Sequence, residues 1–231
     1  MGWPQERFNY TRAWISSFLN RKYLVVLGPE SAGKTRLQCY LRDGKLPPPQ
    51  YVPTTTANRL SKARLDLQSG PSAEKQIVRL KKGIDVPGNM ADNPNLWSLQ
   101  VAEADILVFL FDANQLKRTE AYDKRVGHQL RAVAEWLQQQ VDRGKRDVDE
   151  QPKFIIAGTH CDLDPDFGDV SGESQHQFYA ATVLNNKELK GAVNQLGTII
   201  QPQPIVLLGS LKSPDDAKQL TERIFSNIET T

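Results

Sequence analysis

Short apolar runs alternate with helical stripes along most of the chain. The run 106–111 is continuously apolar, as expected of a strand buried on both faces of a parallel sheet. Further runs of strand length stand at 23–27, 154–158 and 204–208. Apolar residues recur at helical spacing in five other segments, which are 35–42, 94–101, 120–141, 183–196 and 214–228. This alternation predicts an α/β domain with helices on both faces of a mostly parallel sheet.

Two neighbouring segments show the two-residue alternation of strands rather than helical spacing. Apolar and charged residues alternate over 58–67 and again over 75–84, on either side of the glycine and proline in 68–72. Such a pair of runs around a turn predicts an antiparallel hairpin. The sheet is therefore expected to contain one antiparallel strand.

Residues 7–19 form a separate and unusually aromatic stripe. Trp14 and Phe18 stand among Arg, Asn, Thr and Ser in a loosely amphipathic helical pattern. We assign an N-terminal amphipathic helix to residues 1–20 and the main domain to residues 21–231. The helix is expected to pack on that domain, and contact of residues 7–19 with a membrane surface or a protein partner is the alternative.

Size and composition limit the classes of function. A chain of 231 residues is long enough for one domain with a full core. Its net charge of +2 gives no overall field for nucleic acid, and no nucleic-acid partner is expected. Cys39 and Cys161 are the only cysteines, as is typical of a reduced protein in the cytoplasm. No apolar stretch reaches the ~18 residues of a membrane-spanning helix, so we expect a cytoplasmic protein, either free or peripheral at a membrane surface.

The most specific motif is Gly28 to Thr35, which reads Gly-x-x-x-x-Gly-Lys-Thr between a predicted strand and a predicted helix. Its glycines let successive backbone N–H groups point inward, which makes a nest for phosphate at a helix N-terminus. Lys34 supplies a positive charge to the outer phosphates, and the Thr35 hydroxyl is a ligand for Mg²⁺. A glycine-bearing turn with a chance lysine is the alternative, and the flanking strand and helix disfavour it.

Further polar positions follow the other predicted strands. Residues 51–58 are rich in threonine, and a loop of this kind can lend a threonine to Mg²⁺ and the terminal phosphate. Asp85, at the end of the hairpin, can hold Mg²⁺ through water, and Gly88 lets a backbone N–H approach the last phosphate. Asp112 follows the strand 106–111 and also fits the metal-binding acid of a P-loop ATPase.

Together, these motifs resemble the Ras-like small GTPase family, and the aromatic N-terminal helix looks similar to that of its Arf branch. The matching segments are 28–35, 53–54, 85–88, 111–114, 159–162 and 209–211. The resemblance extends over residues 23–228. It implies a P-loop NTPase three-layer sandwich that binds GTP or GDP together with Mg²⁺.

The resemblance also implies roles for individual residues. The residues implied to act at the terminal phosphate are Lys34, Thr54, Gly88 and Asn89. The implied Mg²⁺ ligands are Thr35, Thr54 and Asp85, with Thr55 and Thr56 as alternatives to Thr54. Asp162 would accept the N1–H and amino protons of guanine, a pair of donors that adenine cannot match. The other implied nucleotide contacts are Gly28, Glu30, Ser31, Ala32, Gly33, Thr159, His160, Ser210 and Leu211.

Three positions depart from the family pattern. Thr159 and His160 stand where most relatives carry Asn and Lys, which changes one base contact and the lysine packed over the nucleotide. Asn89 stands where the family has the glutamine that orients the attacking water. Because asparagine is one methylene shorter, we expect slow intrinsic hydrolysis or a partner that completes the site.

The expected function is a molecular switch that hydrolyses GTP to GDP. GTP and Mg²⁺ would order residues 51–58 and 85–97, and this surface would bind effector, exchange and activating proteins. Two alternatives stay open. One is a nucleotide-binding scaffold or pseudo-GTPase without turnover, and the other is a P-loop ATPase that uses Asp112.

Overall fold

A computed structural model of the chain describes residues 22–48, 58–60, 63–67, 76–85, 87–89, 94–147, 150–164, 185–201 and 203–229. The predicted N-terminal helix, Thr54 with its neighbours and the predicted turn at 68–72 lie outside these residues. The division of the chain at residues 20 and 21 therefore stays a prediction.

One sheet contains all seven strands of the described residues. The strands are β1 (Lys22–Leu27), β2 (Asn58–Leu60), β3 (Ala63–Leu67), β4 (Gln76–Asp85), β5 (Ile106–Asp112), β6 (Lys153–Thr159) and β7 (Ile205–Leu208). Their order is β2-β4-β1-β5-β6-β7, with β3 also beside β4. The pairings from β4 through β1, β5 and β6 to β7 are all parallel. The carboxyl ends of these five strands therefore meet at one edge, where open α/β sheets bind their ligands.

The predicted antiparallel pairing is confirmed, because β2 and β3 each pair antiparallel with β4. Leu60 lies opposite Gly83 in β4, and three residues later Ala63 lies opposite Leu80. From β2 to β3 the residue number rises by three, and the number of the opposite residue in β4 falls by three. β2 and β3 therefore have the same register against β4. One antiparallel strand beside β4 is what the alternating pattern predicted.

Six α-helices cover the sheet in the described part of the chain. They are α1 (Lys34–Asp43), α2 (Pro94–Glu103), α3 (Ala113–Arg118), α4 (Glu120–Asp142), α5 (Lys187–Ile199) and α6 (Pro214–Glu229). One core lies between the sheet and α2, α4 and α5, and a second core lies between the sheet and α1 and α6. Alternate residues of β5 enter the two cores, with Phe109 in the first and Val108 in the second. The predicted three-layer sandwich is therefore confirmed.

Two helix boundaries are set by capping contacts. α1 ends at Gly44, whose left-handed backbone lets its N–H donate to the Tyr40 carbonyl at 2.8 Å. Ahead of α6, the Ser213 hydroxyl accepts the Asp216 N–H at 3.2 Å, and the Asp216 carboxylate accepts the Ser213 N–H at 3.0 Å. This reciprocal pair is a capping box, which fixes where α6 begins.

α3 was absent from the helices that the sequence pattern predicted. Its six residues are too few to show a helical stripe. The helix forms because the Asp112 carboxylate accepts the Gln115 N–H at 2.9 Å, while Ala113 and Leu116 are buried in the core. α5 begins at residue 187, later than the pattern that starts at 183, because Asn186 caps it by accepting the Leu189 N–H at 3.0 Å.

Candidate functional site

The carboxyl end of β1 leads into a tight loop and then into α1. Three loop residues have positive φ angles, which are 137° at Gly28, 63° at Ser31 and 87° at Gly33. A Cβ at Gly28 would lie 2.0 Å from the Leu110 carbonyl oxygen, so glycine is required where the chain leaves the sheet. The loop therefore turns as an anion nest of backbone N–H groups requires.

Lys34, the first residue of α1, is buried against this loop. Its Nζ donates to the Gly28 carbonyl at 2.9 Å and to the Pro29 carbonyl at 2.7 Å. Thr35, the next residue, is exposed. A positive charge and a hydroxyl thus stand at the N-terminus of α1, where the helix dipole also favours an anion.

The ends of β6 and β7 bring together two residues that the resemblance assigned to the base. The Ser210 hydroxyl donates to the Asp162 carboxylate at 2.6 Å. The Cys161 N–H donates to the Gly209 carbonyl at 3.2 Å, which joins the 3₁₀ turn Cys161–Leu163 to the loop after β7. The half-buried Asp162 is therefore held in one orientation by two neighbouring loops.

Thr159 joins this base end to the phosphate loop. Its hydroxyl lies 3.0 Å from the Ala32 carbonyl oxygen and 3.1 Å from the Phe111 carbonyl oxygen. The residue is fully buried. The sequence predicted a nucleotide contact for Thr159, and the structure places its hydroxyl on backbone oxygens of the phosphate loop and β5.

Arg36 makes a second connection between the two ends of the site. Its guanidinium donates to the Leu211 carbonyl at 3.0 Å and to the Lys212 carbonyl at 3.2 Å. The Leu211 side chain is buried, and a Cβ at Gly33 would lie 2.9 Å from its Cδ1. The loop after β7 is thus packed against the phosphate loop and α1. Sequence reasoning missed Arg36, whose only signal was a long basic side chain directly after the motif.

His160 has a left-handed backbone, with φ at 59°, which residues other than glycine rarely adopt. Its Nδ1 lies 2.8 Å from the Thr159 hydroxyl and 3.8 Å from the Asp112 carboxylate. The Thr159 hydroxyl has one proton and two carbonyl neighbours, so a proton on Nδ1 that is donated to Thr159 satisfies both groups. The imidazole itself remains partly exposed at the base end.

Asp112 is engaged at the end of its own strand. One carboxylate oxygen accepts the Gln115 backbone N–H and the other accepts its side-chain amide, each at 2.9 Å. The Asp112 N–H donates to the Tyr122 hydroxyl at 2.8 Å, and burial raises the pKa of this phenol, which keeps it protonated. The carboxylate therefore caps α3, and these contacts give no support to the metal-binding role that the ATPase alternative requires.

Pro87 and Gly88 lie between the phosphate loop and two helices. A Cβ at Gly88 would lie 2.4 Å from the Glu30 backbone nitrogen, so the two segments are in direct contact. The indole N–H of Trp97 in α2 donates to the Pro87 carbonyl at 3.0 Å. The amide of Gln129 in α4 donates to the Gly88 carbonyl at 3.1 Å. Both side chains are buried.

Sequence reasoning missed these two anchors of the Pro87–Gly88 segment. The sequence pattern places Trp97 in a predicted helix but gives no signal for the partner of its indole N–H. Gln129 stands within the buried stripe of α4, next to Leu130, and a polar residue in an apolar stripe was the available signal. Asn89, predicted to act on the attacking water, is exposed beside this segment.

The predicted metal ligands lie only partly within the described residues. Thr35 is exposed at the start of α1, Asp85 ends β4 opposite Val26 of β1, and Thr54 is outside the described ranges. Over those ranges, no group of three or more His, Cys, Asp or Glu side chains could hold a metal ion. Mg²⁺ that is bound mainly through hydroxyl, water and phosphate oxygens needs no such group. Hydroxyl and carboxylate oxygens are ligands of the kind that Mg²⁺ prefers, and the roles of Thr35 and Asp85 as its ligands stay predictions.

α3 is connected to the base end by an ion pair. Lys117 Nζ lies 2.6 Å from a carboxylate oxygen of Asp164, and the side chains are 29% and 7% exposed, respectively. Asp164 directly follows the turn Cys161–Leu163 that carries Asp162. Neither partner of this ion pair was identified from the sequence.

No helix of the described ranges is both long and apolar enough to cross a membrane. α4 is the longest of them at 23 residues, and its outer surface carries Lys124, Arg125 and Glu135. Contact of residues 7–19 with a membrane or a protein stays a prediction, because those residues lie outside the described ranges.

The same fold occurs in a solved structure described as "The Structure of the Mammalian SRP Receptor". The similarity has a TM-score of 0.52 at 17% sequence identity, and it covers 88% of this chain and 100% of that chain. No protein-family model and no curated protein matches the chain. At this identity the similarity shows the fold alone. It supports the predicted P-loop fold and does not single out the Arf branch.

Proposed function

We propose that the chain is a GTP-binding switch that hydrolyses GTP slowly or with the help of a partner. The observation that carries this proposal is the Asp162 carboxylate, which accepts a hydrogen bond from the Ser210 hydroxyl at 2.6 Å at the base end of the site. Guanine presents two adjacent donors, N1–H and the amino group, to such a carboxylate. Adenine presents an unprotonated N1, which a carboxylate repels. Two charge-assisted hydrogen bonds therefore favour guanine.

The phosphates would bind at the loop Gly28–Gly33 and at Lys34. The Lys34 ammonium would exchange its carbonyl partners for the outer phosphates. Thr35, Asp85 and Thr54 would hold Mg²⁺, which supplies positive charge to the phosphates when it is bound.

The contacts of Thr159 and Arg36 support binding of one rigid ligand across both ends of the site. Thr159 lies on the Ala32 carbonyl, and Arg36 holds the carbonyls after Ser210. These contacts keep a constant separation between the base end and the phosphate end. Such preorganisation lowers the entropic cost of binding a nucleotide.

Substitution of Asp162 tests the proposed base preference. We expect Asp162→Asn to lower the affinity for GDP by tenfold or more, because an amide NH₂ would face the guanine donors. Xanthosine diphosphate, which carries an oxygen in place of the amino group, should lose less affinity or gain some. Titration of fluorescent GDP, ADP and xanthosine diphosphate measures these changes, and Asp147→Asn, on an exposed residue, is the matched control. Higher affinity of the unaltered protein for ADP than for GDP would support the ATPase alternative instead, and equal affinities would contradict the proposed guanine preference.

Asn89 bears on whether the bound nucleotide is hydrolysed. Its exposed amide is shorter than the glutamine that orients water in the resembled family, and this favours the scaffold without turnover as the second candidate. Single-turnover phosphate release from GTP, with and without cell extract, separates the two candidates. We expect slow release that the extract accelerates and that Asn89→Gln increases, whereas Asn194→Gln, at an exposed residue of α5, should have no effect. Phosphate release in neither assay would leave nucleotide binding alone.

The wider biological role follows from the same proposal. Residues 51–58 and 85–97 would form the surface for effector, exchange and activating proteins when GTP is bound. Residues 7–19 would contact a membrane surface or a protein, as in an Arf-like member, and the protein would act in the cytoplasm.

A further inference from the structure

Two successive carbonyl groups are held by the same layer of helices. The Pro87 carbonyl accepts the Trp97 indole N–H at 3.0 Å, and the Gly88 carbonyl accepts the Gln129 amide at 3.1 Å. Trp97 is 0% exposed and Gln129 is 3% exposed, so water does not compete for these contacts. α2 and α4, which carry these anchors, pack on one face of the sheet, whereas α1 packs on the other face.

The direction of these carbonyls fixes the direction of the following N–H groups. In a trans peptide the N–H points away from the C=O. The Gly88 N–H is therefore directed away from the Trp97 indole, and the Asn89 N–H is directed away from the Gln129 amide. Gly88 also touches the phosphate loop, because a Cβ there would lie 2.4 Å from the Glu30 nitrogen. The Gly88 N–H thus stands next to the phosphate loop, where it can add a donor to the anion nest.

The anchors also oppose reorientation of either peptide. If the Pro87 or Gly88 carbonyl turned away, the buried indole N–H or the buried amide would lose its partner. An unpaired buried donor disfavours the turned form by about tenfold or more. The orientation of the Gly88 N–H is thus fixed before any nucleotide binds.

We propose that Trp97 and Gln129 are positioning residues that hold the backbone on both sides of Gly88, aim its N–H at the terminal phosphate of GTP and so set the preference for GTP over GDP. This inference rests on the function proposed above. GDP has no third phosphate to meet this N–H. The two anchors therefore act on the affinity for GTP and leave that for GDP unchanged.

The test compares two nucleotides across three variants. Trp97→Phe removes the indole N–H and keeps a large ring, and Gln129→Leu removes the amide at similar volume. Trp136→Phe is the control, since its partly buried indole packs on the same core. Fluorescent GDP and a fluorescent non-hydrolysable GTP analogue are titrated with Mg²⁺, and circular dichroism verifies the fold. Trp97→Phe and Gln129→Leu should each lose about five- to tenfold in affinity for the analogue with GDP affinity within about twofold.

Hydrogen exchange gives a second readout that needs no variant. In the unaltered protein, the Gly88 amide should become protected with the GTP analogue and not with GDP. Loss of both nucleotides to the same extent, or an unchanged ratio of affinities in both variants, would overturn the positioning role. Failure of the unaltered protein to prefer guanine nucleotides, or to distinguish the analogue from GDP, would instead overturn the proposed function.

Discussion

Gly28 passes the Leu110 carbonyl of β5 with no room for a methyl group, whereas Gly44 has open space around it. Both residues have positive φ angles, 137° and 65°. A Cβ at Gly28 would lie 2.0 Å from a backbone oxygen, and a Cβ at Gly44 would meet nothing within 4 Å. A comparison of the two glycines therefore separates the energetic cost of a left-handed backbone from that of a steric clash.

This contrast predicts different effects of the same substitution. Gly44→Ala should lower the free energy of unfolding by about 1 kcal/mol, the cost of a left-handed backbone without glycine. Gly28→Ala should lower it by about 3 kcal/mol or more, because the backbone of β5 cannot yield, and should also abolish nucleotide binding. Urea titration of both variants measures the difference. Equal losses would show that the loop can shift away from β5.

At the scale of elements, α3 connects β5 to the base end of the site. Asp112 caps its first turn, and Lys117 in its last turn pairs with Asp164 at 2.6 Å. Removal of Lys117 would leave a carboxylate that is 7% exposed without this partner. A second lysine, Lys124, pairs with Glu120 on the exposed surface of α4 at 2.7 Å.

Replacement of each lysine by methionine should therefore differ in effect. Lys117→Met should cost about 1–3 kcal/mol of unfolding free energy, since it breaks a pair whose carboxylate is buried. It should also weaken GDP binding, because Asp162 lies two residues from Asp164. Lys124→Met should have no measurable effect, as is common for exposed pairs. Thermal unfolding and GDP titration of both variants provide the comparison. Equal stability and equal GDP affinity of the two variants would contradict the idea that α3 supports the base end of the site.

The strands, the hairpin and most helices could be predicted from the sequence, because each of them has a local pattern that is long enough to recognise. The buried run 106–111 and the helical stripe over 120–141 are examples. α3 was missed because it depends on one cap and one distant ion pair rather than on periodicity. Similarly, Arg36 reaches a loop 175 residues away, a distance at which spacing along the chain gives no signal.

At the scale of the whole molecule, the sheet separates two cores that shield different residues. Cys161 is fully buried in the core on the side of α4. Burial raises the pKa of the Cys161 thiol to about 12, which leaves it protonated at neutral pH. Cys39, in α1 on the other face, is partly exposed. A reagent can therefore reach the Cys39 thiol in the folded domain, whereas it can reach the Cys161 thiol only when the core on the side of α4 opens.

Thiol labelling at pH 8 should distinguish these two cysteines. Cys39 should react readily, whereas Cys161 should react only as fast as the domain unfolds, because both access and thiolate are lacking. Mass spectrometry after timed alkylation measures this, with a Cys39→Ser variant as the control that isolates Cys161. Labelling of Cys161 at the rate of Cys39 would indicate that the base end opens without global unfolding.

The contacts of Lys34 have a further consequence for selectivity among anions. Its ammonium already has two carbonyl oxygens as partners, at 2.9 and 2.7 Å. Any incoming anion must compete with these dipoles, so the observed affinity is the difference between two sets of hydrogen bonds. Chloride or acetate, with a single charge, gains little from such an exchange. A polyphosphate gains much more. The carbonyl groups of the loop therefore disfavour the binding of small anions at Lys34.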